Sequence, residues 1–298
     1  MAVTELQIKT EGYKNSVKNH PCFGGEANIN CGRIHLPVSP KCNISCRFCK
    51  RCFNNSEERP GVSRTLLTPE RSVQIVEKAL ELCPEITVVG IAGPGDTLAT
   101  DHAIETFELI HTRFPHLINC LSTNGLLLEE KAERVAAAGV KTVTVTVNAI
   151  NPVILDKICS GIFYKDRFIS GTEAAGILIN AQLTGIRKIA GLGAVVKINS
   201  VLVPGVNDEH IGEIAKLTSE AGASIVNIIP LIPQGDMSEY SAPGCNELNN
   251  ARDAAGEYLD VFRHCRHCRA DACGIPGKGK DFSNLLYEYP AQDTFSHG

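Results

Sequence analysis

From Gly32 to about Phe262 the chain alternates short, apolar, β-branched runs with longer segments of helical period. That alternation predicts repeated βα units. Six runs qualify as strands: Arg33 to Val38, Ile86 to Ile91, Leu117 to Ser122, Lys141 to Val147, Ala194 to Val203 and Ile225 to Pro230. Their apolar character suits parallel strands buried on at least one face. The segments between them carry helix-start signals. Thr68-Pro69-Glu70 offers an N-cap, a proline at the first helical position and an acid in the first turn, followed by Val73, Val76, Ala79 and Leu80 on one face. Asn207-Asp208-Glu209 opens another helix, with Ile211, Ile214 and Ala215 inward and Gly222 past its end. Further helices are expected near 103–113, 128–138, 172–185 and 247–263. Six parallel units without a seventh or eighth predict an α/β fold built as an open, partial (βα)6 barrel over residues 32–263, whose chemistry sits on the loops after its strands. Residues 1–31 and 264–298 show no sustained period and read as N- and C-terminal extensions.

Composition narrows the function classes. A chain of 298 residues accommodates one barrel or two smaller domains, and 43% hydrophobic with 21% charged residues is ordinary for a soluble globular protein. The net charge of -4 and the scattered Lys and Arg offer no field for a polyanion, so nucleic acid is not an expected partner. There is no run of about 18 apolar residues and no apolar core near the N-terminus, so neither a membrane span nor a signal peptide is expected, and the cytoplasm is the expected location. Cysteine is the outlier at 13, and in a reducing compartment so many thiols point to metal rather than disulfides. They crowd at both ends: Cys22, Cys31, Cys42, Cys46, Cys49 and Cys52 in one stretch, Cys265, Cys268 and Cys273 in another.

The sharpest signal is Cys42-x3-Cys46-x2-Cys49, just after the first strand. Three thiolates can hold three irons of one cubane and leave the fourth open to a chelating ligand, which an electron-transfer cluster with four thiolates does not readily do. A zinc site is the competing reading, but zinc favours four closed ligands, often in paired CxxC knuckles. Later segments suit a nucleoside cofactor: Ala92-Gly93-Pro94-Gly95-Asp96 after the second strand, Ser122-Thr123-Asn124-Gly125 after the third and Asn148 after the fourth. The spacing CxxxCxxC, with Phe48 before its last cysteine, resembles the radical S-adenosylmethionine (SAM) superfamily. That resemblance implies a radical-SAM barrel and a 4Fe-4S cluster on Cys42, Cys46 and Cys49 whose open iron binds the methionine moiety of SAM, with one electron cleaving a carbon–sulfur bond. It also implies that Gly93, Gly95 and Asp96 form the methionine-contacting motif, and that Thr123, Asn124 and Asn148 meet ribose or carboxylate oxygens.

Further candidate ligands exceed the needs of one cluster: His20, Cys22, Cys52, Cys120, Cys265 and Cys268, with Cys31, Cys245 and Cys273 less defined. His20-Pro21-Cys22-Phe23, HLPVSPKCNISCRFCKR, Glu58-Arg59-Pro60-Gly61-Val62, AGPGD, CLSTNGL and Cys265-Arg-His-Cys268-Arg-Ala-Asp-Ala272 occur in the order found in the NifB family of nitrogenase cofactor maturases, which the chain resembles over nearly its whole length. The resemblance implies cluster-binding extensions and two further 4Fe-4S clusters held as substrates. These would be fused, with a carbide derived from SAM and an added sulfide, into an eight-iron precursor. It suggests His20, Cys52 and Cys120 around one substrate cluster and Cys22, Cys265 and Cys268 around the other; Glu57 and Glu58 read first as part of a solvated loop, with transient ligation of an exposed iron as the alternative. Implied partners are cluster-delivery proteins, a carrier or scaffold docked transiently, and a reductant protein. The expected form is the short one, without a C-terminal carrier-like domain. Two other functions fit the same cysteines: a radical SAM enzyme that modifies a peptide or small molecule with the help of auxiliary clusters, and a non-catalytic iron-sulfur scaffold.

Overall fold

The computed structural model describes residues 5–287 and 296–297, so the outermost parts of both expected extensions lie outside the described residues. All six expected strands form: β1 (Gly32–His35), β2 (Ile86–Ile91), β3 (Ile118–Thr123), β4 (Val140–Thr146), β5 (Val195–Leu202) and β6 (Ile225–Pro230). They pair in parallel and in chain order, as one-way βα winding requires. β1 stops before Pro37, which has no N–H to donate to a ladder.

Two short strands extend the expected sheet. β7 (Asp260–Val261) adds a parallel edge to β6, because the helix expected to continue to 263 ends at Gly256 and the chain goes on as Tyr258-Leu259-Asp260-Val261. β8 (Cys273–Gly274) pairs antiparallel with β1 through Arg33↔Gly274 and Ile34↔Cys273, so part of the C-terminal extension closes the other edge of the sheet. Covering that edge removes a row of unpaired backbone groups.

Helices cover the sheet and fill one large core, with Ile34, Val89, Leu121, Val143, Ile198 and Ile228 from successive strands meeting Val76, Phe107, Val135, Ile189 and Ile214. Thr68 caps the helix Pro69–Leu82 by accepting from Arg71 N at 3.3 Å. Asn207 departs from expectation. Its side chain accepts from Val203 N and donates to Asn148 O and Val201 O, and a 3-10 turn, Asp208–His210, leads into the helix Ile211–Glu220. The N-terminal extension forms helices Glu5–Asn19 and Gly25–Asn30 although its sequence shows no sustained period. Tertiary contact decides this: Tyr13 and Val17 pack with Phe23 and Phe262 beside the sheet. No helix among the described residues is long and apolar enough to cross a membrane.

After β4 an inserted hairpin, Cys159–Tyr164 with Arg167–Ser170, turns on Lys165 and Asp166, both at positive φ. Its first strand pairs antiparallel with Ile44–Cys46, placing Cys46 opposite Cys159. The hairpin thereby props the cysteine loop against the barrel.

Candidate active site

The C-terminal ends of the strands surround a cavity of about 330 Å³, within the usual range for a small-ligand site. Cys46 and Cys49 line it, while Cys42 is buried behind them at 3% exposure. The loop is shaped by a turn in which Cys49 N donates to Cys46 O at 3.0 Å. Arg51 Nη2 donates to Cys42 Sγ at 3.0 Å. A hydrogen bond with Cys159, reinforced by burial, pushes the Cys46 thiol well above its usual range, and burial raises that of Cys42. The site therefore stores protons that a cluster must displace on binding.

The glycine-rich turn after β2 is stitched to this loop. Gly95 N donates to Ser39 O and Asp96 N to Lys41 O, each at 2.8 Å. A Cβ on Gly95 would stand 2.0 Å from Lys41 O, so only glycine permits the approach. Asp96 is buried, and burial raises its pKa against the pull of the hydrogen bonds it accepts from Asn124 N, Leu98 N and Thr123 Oγ1. Asn124 Nδ2 reaches Asn43 Oδ1 at 2.7 Å. Gly95, Asp96, Thr123 and Asn124 all line the cavity. Gly93 does not; its φ of +127° shapes the turn. Asn148 corrects the expectation of a ribose or carboxylate contact: its Oδ1 accepts from Val201 N at 2.9 Å, so the side chain braces the end of β5 instead of reaching the cavity.

The terminal segments complete the wall. His20 and Cys22 enter from the N-terminal side, Cys120 from β3, and Cys265 and Cys268 from the C-terminal segment. Cys265 is exposed, whereas Cys22, Cys120 and Cys268 are half-buried. Burial, together with the nearby Cys268 and Cys120, pushes the Cys22 thiol up to about 12 against the opposing pull of Lys197 and Arg33. Burial, with Lys197 and His35, holds His20 well below the usual histidine range, so its ring is neutral at pH 7. Its Nδ1 accepts from Cys22 N at 3.1 Å, which leaves the proton on Nε2, a buried atom with no partner among the described residues. Ligation of iron through Nε2 requires that proton to leave or move.

Cys52 stands apart. Its Sγ meets Glu57 Oε1 at 3.2 Å and accepts from Asn54 Nδ2 and Arg59 Nη2, each at 3.1 Å, and it does not line the cavity. Of the expected group of His20, Cys52 and Cys120, Cys52 is thus held apart in its own loop, whereas Cys120 lines the cavity together with His20 and Cys22. Cys273 is fully buried in β8, Cys31 ends a helix and the exposed Cys245 begins one, all away from the cavity.

Several functional candidates escaped sequence reasoning. Arg33 Nη2 donates to Cys268 Sγ at 3.1 Å. His35 Nδ1 donates to Arg269 O at 3.0 Å, and burial with Arg33 lowers its pKa to about 4. Lys197 lines the cavity from β5. A signal existed, since Lys197 is the one charge within an apolar strand and Arg33 and His35 alternate with Ile34 and Leu36. Among the described residues no three His, Cys, Asp or Glu side chains close on one point to hold a single ion; the donors are spread around the cavity. Soft donors on several walls, guanidinium groups on two of the sulfurs and an unpartnered buried imidazole nitrogen fit a polynuclear, thiolate-bound group.

Residues 36–218 match the Radical SAM superfamily. The chain is 45% identical over 269 residues to the FeMo cofactor biosynthesis protein NifB of Methanocaldococcus infernus, covering 90% of this chain and 89% of that one. It is likewise 45% identical over 282 residues to the protein of that name from Methanocaldococcus jannaschii, covering 94% of each. Among solved structures, methylornithine synthase (PylB) superposes with a TM-score of 0.54 at 15% identity, over 87% of this chain and 72% of that one, a likeness of fold.

Proposed function

The chain belongs to the radical SAM superfamily and, within it, to the NifB family, and on that footing we propose that it acts in FeMo cofactor biosynthesis by fusing two 4Fe-4S substrate clusters, with a carbide drawn from a SAM methyl group and one added sulfide, into an eight-iron precursor. One observation carries the reading: His20, Cys22, Cys120, Cys265 and Cys268 line the same cavity as Cys46 and Cys49. SAM cleavage alone needs only the Cys42, Cys46 and Cys49 cluster; a second ligand set facing the first suits substrate clusters.

Cys42, Cys46 and Cys49 hold the resident 4Fe-4S cluster, which with SAM supplies one-electron cleavage of a carbon–sulfur bond and a radical able to take hydrogen from a methyl group. The protein's own part is positioning. Asp96 fixes the Thr123-Asn124 turn through three hydrogen bonds, presenting polar groups to the cofactor from a wall that is itself buried. Arg51 keeps positive charge beside the Cys42 sulfur. On the substrate side, Cys22, Cys120, Cys265 and Cys268 supply thiolates, and the neutral His20 adds an uncharged, weaker ligand that yields when product leaves. Cys265, exposed at the mouth, suits hand-over from a cluster-delivery protein and to a product carrier, and a reductant protein provides the electron.

The test is anaerobic reconstitution with iron, sulfide, reductant and methyl-labelled SAM, followed by isolation of the cluster product. Label in an eight-iron product is expected; active SAM cleavage with no label in any cluster refutes carbide formation. Cys46→Ala abolishes 5'-deoxyadenosine, whereas Cys268→Ala spares part of it and blocks product. Equal loss in both variants would overturn the separation of radical and substrate sites.

A further inference from the structure

Lys197 occupies a costly position. It sits on β5 at 5% exposure, and an ammonium taken out of water is expensive unless compensated. Its Nζ donates to Cys22 O at 3.0 Å and lies 4.8 Å from the centroid of the Phe23 ring and 5.4 Å from that of Phe262. No ion pair to it forms among the described residues. Arg33, also 5% exposed, spends Nη1 on Gly274 O at 2.8 Å and Nη2 on Cys268 Sγ at 3.1 Å, with Asp281 nearby but not in contact. Among the described residues Asp96 is the only carboxylate lining the cavity, and its oxygens are already taken by Thr123, Asn124 and Leu98. Two buried cations thus face Cys22, Cys120 and Cys268 with no matching negative charge from side-chain carboxylates in the cavity wall.

We propose that Lys197 and Arg33 form a cationic floor for the substrate cluster bound through Cys22 and Cys268, retaining that cluster by its negative charge and setting its reduction potential. This inference rests on the substrate-cluster reading above. A cubane core bound by several thiolates is an anion, and each electron added makes it more negative, so a nearby fixed cation favours both binding and reduction. The low dielectric of a buried site makes the effect larger than a surface lysine would exert. Two positions on separate strands, β1 and β5, act on the one cluster, so each should show the effect alone.

The experiment uses the full chain reconstituted anaerobically without SAM. Iron and sulfide per chain are measured after gel filtration, and midpoint potentials by EPR-monitored titration. Lys197→Met keeps the apolar stem against both rings but removes the charge; Lys197→Arg restores charge. Lys197→Met should weaken retention of the substrate cluster on the order of tenfold and move its potential to more negative values, leaving the cluster on Cys42, Cys46 and Cys49 unchanged. Lys197→Arg should restore retention, and Arg33→Gln should shift the potential in the same direction. Unchanged retention and potential in both charge-removing variants would overturn the proposal. If Lys197→Met does not fold, Arg33→Gln alone decides by the same readouts. Cys268→Ala separates the two levels: if it costs no iron, the substrate-cluster reading itself fails, and if it costs iron while the charge variants match the parent, only the cationic floor fails.

Discussion

Arg269→Met should detach two arms of the site at once. The guanidinium is 1% exposed and makes four hydrogen bonds: Nε to Asp271 Oδ1 at 2.8 Å, Nη2 to Asp271 Oδ2 at 3.1 Å, Nη1 to Glu57 O at 2.6 Å and Nη2 to Asn54 O at 2.7 Å. It joins the segment bearing Cys265 and Cys268 to the loop bearing Cys52 and Glu57. Removing it strands two carbonyls and leaves Asp271, itself fully buried, with Arg64 as its remaining cationic partner. Breaking a buried pair from one side costs about 3–5 kcal/mol, much of it from the charge left behind. The folded-to-unfolded ratio should therefore drop roughly 10²- to 10⁴-fold. Urea unfolding measures the total, and hydrogen exchange locates it: amides of 54–59 and 265–268 should exchange faster than the core strands warrant. Arg269→Lys should recover only part, because an ammonium cannot span Asp271 and both carbonyls as a planar fork does. Stability within about 1 kcal/mol of the parent, or loosening confined to one of the two arms, would refute the clamp.

Other perturbations test separate links. Gly95→Ala pushes a methyl into Lys41 O and Ser39 O, so the two backbone bonds between these segments should break; a loss of about 2 kcal/mol or more is expected, with weaker SAM binding by equilibrium dialysis, and an unchanged affinity would sink the assignment. Asn148→Ala should lower stability by about 1–3 kcal/mol through the unpaired Val201 N yet leave SAM affinity intact; a selective loss of SAM binding would restore a cofactor role. His35 has a folded pKa of about 4 against about 6.5 unfolded. Below pH 6.5 the unfolded chain binds a proton that the folded chain refuses, so the contribution is complete above pH 6.5 and is lost toward pH 4, by up to about 1.4 kcal/mol per pH unit. His35→Gln should flatten that part of the urea-midpoint profile in the cluster-free protein, and an unaltered slope between pH 6.5 and 4 would contradict it.

Periodicity and spacing are local, and local information carried far here. Six strands, their parallel order, the Thr68 cap and the Cys42-Cys46-Cys49 loop after β1 could all be read from neighbouring residues, because hydrophobic period and cap chemistry act within a few positions. The identities of the cluster-binding candidates at both ends were legible too. What remained hidden depends on contacts between distant parts of the chain. The hairpin behind Cys46 turns on Lys165-Asp166 rather than the Asn-Gly that normally announces such a turn, and its partner strand lies more than a hundred positions away. Cys52 and Cys120 were both expected beside His20; Cys120 does line the cavity with it, while Glu57, Asn54 and Arg59 keep Cys52 in its own loop. Asn148 ended a strand as predicted but turned to brace Val201. The sequence by itself determined which chemical groups are available and on which strands. Only the tertiary structure decided which of them face one another, because distance across a barrel mouth is set by sheet register and packing and leaves no periodic trace in the chain.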